Sequence, residues 1–231
     1  MPYLPRYQII DDQAYFHVTW KCHNKDWLLK EDWAKQIYYN LLLKYKDKYG
    51  VVIHAYTFMD NHPHIIGKLR TKEEFSQFFR IVNCLFAKRV NQHLQRCGQV
   101  VMDRFKSPKI ETDKHMLRAM VYVDLNQYRA KKVKHPKDNT FSSFVHYAFG
   151  KEDPLISDSP SYIDLAPDQI SRQLAYQAMV ADLLTNSDDF NISHTYFIGN
   201  PDWVINKYRE LRDVMRETMK TKSHEAIAAA G

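Results

Sequence analysis

Several things this chain lacks narrow its chemistry. It holds only 6 glycines in 231 residues, and no glycine-rich loop of the kind that cradles phosphates. Its 3 cysteines, Cys22, Cys84 and Cys97, are odd in number and unpaired in spacing, which argues against a disulfide framework and for a reducing compartment. Cys22-His23 has the look of half a zinc site, but no second pair at suitable spacing completes it. No serine or cysteine triad has an organised neighbourhood. No apolar run approaches the ~20 residues that span a bilayer, and Met1 to Tyr7 shows no basic-then-apolar leader. No membrane association and a cytoplasmic location are therefore expected. There is no internal repeat.

What is present suits a folded, polyanion-binding protein. At 45% apolar and 13% aromatic residues, the chain can bury a sizeable core in one large domain, alone or with a smaller appendage. Lys plus Arg number 33 against 27 acidic residues, a balance that favours an anionic partner over a neutral one.

Ala14 to Trp20 alternates like a half-buried strand. Glu31 to Tyr49 follows as a helix with Trp33, Ile37, Leu41 and Tyr45 as one apolar stripe, ended by Gly50. Val51 to Met59 is β-branched and aromatic, Asp60-Asn61 reads as a turn, and His62 to Leu69 returns as the second arm of a hairpin. Thr71 to Glu74 has the form of a capping box. It opens a long helix in which Phe75, Phe78, Phe79, Val82, Leu85, Phe86 and Val90 repeat at helical spacing, closed by Gly98. Short extended pieces around Val100 and Lys109 lead to a helix that starts at Asp113. This order suits an α+β fold, an antiparallel sheet with helices packed on one face, as in ferredoxin-like or RNA-recognition-motif architectures. Past Gly150 a polar, proline-punctuated stretch reads as a linker. Two helices follow, roughly 167–185 and 201–219, the second capped by Asn200, and the tail from Thr221 is expected to be mobile. The expected division is a catalytic domain over residues 1–150 and a C-terminal helical extension over 151–231.

Two segments carry chemistry. In Met59-Asp60-Asn61-His62-Pro63-His64, side-chain alternation along a strand sets His62 and His64 on one face, roughly 6–7 Å apart. Alone, such a pair also fits histidines that bond backbone carbonyls. In Tyr122-Val-Asp-Leu-Asn126-Gln-Tyr-Arg129, Tyr122 and Asn126 stand about one helical turn apart, flanked by Arg118 and Arg129, while Leu117, Met120, Val121 and Tyr128 fall mostly on the other side. Alone, Tyr122 also fits an interfacial tyrosine with one hydrogen bond. Taken together, His62, His64 and Asn126 offer three ligands for a divalent cation with positions left open for a substrate oxygen. Tyr122 then stands one turn away as a nucleophile for phosphoryl transfer. Holding its phenol, of pKa about 10, as phenolate at neutral pH costs roughly 4 kcal/mol unless cations relieve it. A polyanionic substrate is expected, because Arg104, Lys106 and Lys109 precede the tyrosine helix and Arg129, Lys131 and Lys132 follow it. Phe105 and Tyr128 are candidates for stacking on bases where exposed.

At these residues the sequence resembles the HUH single-tyrosine transposases, and within them the REP-associated tyrosine transposases of bacteria. Their signature is a Met-Pro-Asn-His-hydrophobic-His strand, followed by a helix reading Tyr-Ile-x-x-Asn-Pro-x-Arg-Ala. Met59, Asn61, His62 and His64 match the first, and Tyr122, Asn126, Arg129 and Ala130 match the second. Phe141-Ser142-Ser143 and the strand from Tyr15 to Thr19 are similar as well. Asp60 stands where proline is usual, Pro63 in an aliphatic place, and Gln127-Tyr128 where proline and a small residue are usual. None of these departures removes a ligand or the nucleophile.

The resemblance implies a Mg²⁺- or Mn²⁺-dependent nuclease that cuts and rejoins single-stranded DNA, usually beside a hairpin. His62, His64 and Asn126 would hold the metal, and Tyr122 would form a 5′-phosphotyrosine intermediate. It leaves both a monomer and a homodimer open. The alternative is a catalytically silent hairpin or single-stranded DNA-binding regulator on the same scaffold. An RNA-recognition-like module would need exposed aromatics on a sheet face that His62, His64 and Lys68 occupy.

Overall fold

The computed structural model describes residues 10–185 and 195–229. Its centre is a five-stranded sheet in the order β2-β3-β1-β4-β5, formed by β1 (Tyr15–Thr19), β2 (Val51–Phe58), β3 (Pro63–Leu69), β4 (Lys109–Ile110) and β5 (Phe197–Ile198). The first four pair antiparallel and β4 pairs β5 in parallel, so the sheet is mixed rather than wholly antiparallel. The α+β class is as expected. The parallel edge is contributed by the last third of the chain, which the alternation of short segments did not disclose.

Strand alternation decides what each sheet face does. Phe16, Val18 and Ile65 point one way and are fully buried. Against them lie α1 (Asp32–Tyr45) and α2 (Lys72–His93), whose Phe75 and Phe79 rings sit 4.7 Å and 6.1 Å from that of Phe16. Trp20 donates from Nε1 to the Tyr38 hydroxyl at 2.7 Å, and Tyr38 donates on to Asn83 at 3.1 Å, so one polar chain ties β1, α1 and α2 together. On α1 the buried face is Ala34, Tyr38, Leu41 and Leu42. Trp33, Ile37 and Tyr45 of the expected stripe lie at its edge, partly buried. On α2 the expected aromatic stripe is buried and Thr71 caps the helix by accepting from the Glu74 amide.

The other face carries His17, Thr19, His64 and Ile66. It is covered by α3 (Asp113–Asp124), which lies against β2 and β3, so helices flank both faces of the sheet. The β2–β3 hairpin brings these faces into register with a bulge between Ile53 and Ala55. Opposite it, Gly67 passes so near Val52 that a Cβ would lie 2.0 Å from its carbonyl oxygen. Only glycine fits there.

After α3 come α4 (Asn126–Arg129), α5 (Phe144–Phe149), α6 (Pro160–Ile163), α7 (Gln169–Thr185) and α8 (Pro201–Ala229). Tyr162, Tyr176 and Val180 join the same core as the sheet. The region expected as a mobile tail from Thr221 continues α8 as far as Ala229, and residues 230–231 lie outside the described part. Among the described residues no helix is long and apolar enough to cross a membrane.

Candidate active site

His62 sits just before β3 rather than within it. Its position is fixed by a tight turn in which the Met59 amide donates to the His62 carbonyl at 2.9 Å. The turn's own carbonyls are held from outside, since Cys22 and Leu29 amides donate to Asn61 and Asp60 at 2.8 Å and 2.9 Å. The two rings still meet, with centroids 4.9 Å apart. Each uses its Nδ1 on a neighbour: His62 on Asn61 Oδ1 at 2.6 Å and His64 on His17 Nε2 at 2.8 Å. Both Nε2 atoms are thereby left for the cavity the rings line.

Burial keeps these rings neutral. It pushes His62 down to about 4, with Lys21 adding to the effect and Asp60 opposing it. It carries His64 well below the usual imidazole range and His17 down to about 3, the neighbouring histidines contributing in each case. A neutral imidazole has a lone pair to give, which a metal ligand requires.

Tyr122 lies in the last turn of α3, and Asn126 opens α4 across the single turn residue Leu125. With His62 and His64, they line one cavity of about 440 Å³. Two buried polar ties fix that helix end. Asp124, fully buried, accepts from Ser142 at 3.0 Å, Ser143 at 2.6 Å and Tyr176 at 2.7 Å. Gln127 donates to the carbonyl of Phe58, at the end of β2, at 2.7 Å. Thus the residue that departs from the usual proline ties the tyrosine segment to the strand leading into the histidine turn.

Tyr122 is half-buried, and that burial raises its phenol above the ordinary range. Arg129, with its guanidinium 4.9 Å over the ring, pulls the other way and is outweighed. The flanking arginine therefore does not by itself yield a phenolate. Arg118 is partly buried and does not line the cavity.

Of the cations singled out in the sequence, Arg104 and Lys106 line the cavity, together with Lys21 and Lys25, which sequence reading passed over. Arg129 covers Tyr122. Lys132 pairs with Asp60 at 2.7 Å and lies 4.4 Å over the ring of Trp27. Lys109 pairs with Asp11, and neither it nor Lys131 lines the cavity. Phe105 is no stacking platform, because it is buried against Phe75 and Phe79. Tyr128, on the side of the helix away from Tyr122 and a stacking candidate where exposed, is 37% exposed. Trp27, more exposed still at 57%, went unremarked. His17, Asp124 and Gln127 carried no signal, since their partners lie 47, 18 to 52 and 69 residues away.

A family model described as "Transposase IS200 like" matches residues 11–107, a span that takes in His17, His62, His64, Arg104 and Lys106 and stops short of Tyr122. Residues 11–107 are thus similar to the IS200-like transposases, over less than half of the chain. The fold is similar to that of a REP-associated tyrosine transposase solved bound to a REP hairpin. That likeness has a TM-score of 0.53 at 21% identity, over 69% of this chain and 93% of the other, and at this identity it speaks for the fold. A transposase candidate from Deinococcus radiodurans is also similar, at 14% identity over 57% of this chain and 95% of the other, but its TM-score of 0.38 carries no argument. A search of curated protein sequences finds no match.

Proposed function

We propose that the chain cleaves and rejoins single-stranded DNA beside a hairpin, with Tyr122 as nucleophile. The observation that carries this reading is that Tyr122, Asn126, His62 and His64 line one cavity whose rim holds Lys21, Lys25, Arg104 and Lys106 against a single acidic residue, Asp103. Such a rim rewards a phosphate backbone and steers it inward.

The donor set fits a divalent metal. Both histidines are neutral with Nε2 unspent, and Asn126, whose side-chain Oδ1 is the atom that would ligate, lines the same cavity. Among the described residues no group of three His, Cys, Asp or Glu forms a rival centre. His62, His64 and Asn126 would hold Mg²⁺ or Mn²⁺, and two imidazoles favour Mn²⁺. When bound, the ion would polarise a non-bridging phosphate oxygen and stabilise charge on the leaving oxygen.

The chain's own residues do the rest. Tyr122 Oη gives up its proton and attacks phosphorus, the phosphorus–O3′ bond breaks, and a 5′-phosphotyrosine forms while the released O3′ takes up a proton and becomes a 3′-hydroxyl. Reversal with another 3′-hydroxyl rejoins the strand. Arg129 holds the tyrosine ring, Gln127 and Asp124 keep its helix end in register, and Trp27 offers a face for an unpaired base. Residues 1–150 would form the catalytic unit and 151–231 an extension to it. The assay is a labelled single-stranded hairpin DNA incubated with Mg²⁺ or Mn²⁺ and resolved on a denaturing gel. A covalent adduct that vanishes in Tyr122→Phe supports the reading.

One observation favours a second reading. Burial raises the Tyr122 phenol above its ordinary range, which adds to the cost of forming a phenolate and so suits a protein that binds hairpin DNA without cutting it. Tight binding with no adduct in any cation would establish that alternative.

A further inference from the structure

His17 occupies the middle of β1, fully buried, on the same sheet face as His64. An apolar residue would pack there at lower cost, because a buried polar atom must find a partner. His17 finds one: its Nε2 lies 2.8 Å from His64 Nδ1, with the two rings within 7° of parallel. Its other nitrogen, Nδ1, is buried with no hydrogen-bond partner among the described residues. Thus one side of the ring is committed to the candidate metal ligand and the other is left unsatisfied.

Only one proton fits on the line between the two rings, and its owner decides what His64 can do. If His64 Nδ1 carries it, His64 Nε2 has a lone pair for a cation, and neutral His17 must hold its own proton on the stranded Nδ1. If His17 Nε2 carries it, the His64 proton moves to Nε2 and the lone pair facing the cavity is gone. The buried contact therefore has one ligand-competent and one incompetent arrangement.

We infer that His17 is a positioning residue for the metal, accepting the His64 Nδ1 proton so that His64 presents a bare Nε2 to the cavity. The inference rests on the metal-site reading above and deepens it. Ligating histidines nearly always donate their second nitrogen to a carboxylate, a carbonyl or water. Here a second imidazole does that work and bears an unpaired N–H for it.

Two measurements test this. Long-range proton–nitrogen NMR of histidine-labelled protein saturated with Mg²⁺ should show His64 and His17 both protonated at Nδ1. A proton on His64 Nε2 under those conditions overturns the inference. Mn²⁺ titration by calorimetry should give about a 10- to 100-fold weaker affinity for His17→Phe, which has no acceptor. His17→Gln, which keeps one, should stay within a few-fold of the native chain. Equal affinity in all three, or equal loss in both variants, contradicts the role. If His17→Phe fails to fold, the NMR result decides alone. Mn²⁺ binding that is lost in His64→Ala but indifferent to both His17 variants sinks only this inference. A native chain that binds no Mn²⁺ at all sinks the metal site itself.

Discussion

The two halves of the candidate site are built on different principles. His62 and His64 belong to a hairpin whose register is set by continuous antiparallel pairing, and a one-residue slip would turn every side chain over. Tyr122 and Asn126 belong to a helix end held by a few buried polar contacts, Asp124 on one side and Gln127 on the other. The first half lies within the span that matches the transposase family and the second lies beyond it. A ladder tolerates loss of one bond, whereas a tether does not. The tyrosine half should therefore be the more fragile.

The largest effect is expected at Asp124. Asp124→Ala strands the buried Ser142 and Tyr176 hydroxyls, leaves Ser143 only its longer bond to the Tyr56 carbonyl, and should cost about 3–5 kcal/mol in denaturant unfolding. A loss under 1 kcal/mol would show that the helix end is held by packing instead.

Acid should separate the halves by sign. The folded pKa values of His17, about 3, and His62, about 4, lie below the ordinary 6.5. As pH falls below 6.5 the unfolded chain takes up protons that the fold refuses, and stability is lost by about 1.4 kcal/mol per pH unit for each uncompensated ring. Asp124 runs the other way. Burial raises its carboxyl from 3.8 to about 7, so its folded form is protonated first and its contribution, full below 3.8, is lost as pH rises toward 7. Asp124→Asn removes that opposing contribution and should steepen the acid loss between pH 6.5 and 4.5. A flat profile in the native chain would contradict the buried neutral rings.

Gln127→Leu probes the tether between the halves. It leaves the Phe58 carbonyl unpaired and should cost about 1–3 kcal/mol. It should slow adduct formation more than it weakens Mn²⁺ binding, because of the three candidate ligands only Asn126 lies on the tethered segment. A loss of metal affinity as large as that of His64→Ala would erase the distinction. The smallest effect is expected from Lys25→Ala, which should lower the salt dependence of DNA binding by about one unit of slope. Lys109→Ala, on a residue paired with Asp11 away from the cavity, should leave it unchanged.

The same contrast governs how much the sequence disclosed. Strand alternation, the α2 stripe and the hairpin are local patterns, and they placed the sheet, its helices and the two histidines. Helical spacing set Tyr122 and Asn126 about one turn apart, and the cavity brings them together with the histidines. What stayed hidden depends on distant partners. The apolar stripe of α1 is rotated toward Tyr38 because Trp20 and Asn83 claim its hydroxyl. Phe105 looks like a basic-loop aromatic, yet α2 offers it a core place between Phe75 and Phe79. Ser142 and Ser143 were noticed only as a family likeness, and their common acceptor, Asp124, shows what they do.

Mapping the covalent adduct by mass spectrometry tests the central claim most directly. After reaction with single-stranded hairpin DNA and Mn²⁺, the nucleotide should be found on the peptide containing Tyr122, attached through its 5′-phosphate. A nucleotide on another residue, such as the exposed Tyr128 six positions on, or tight hairpin binding with no adduct at all, would contradict it.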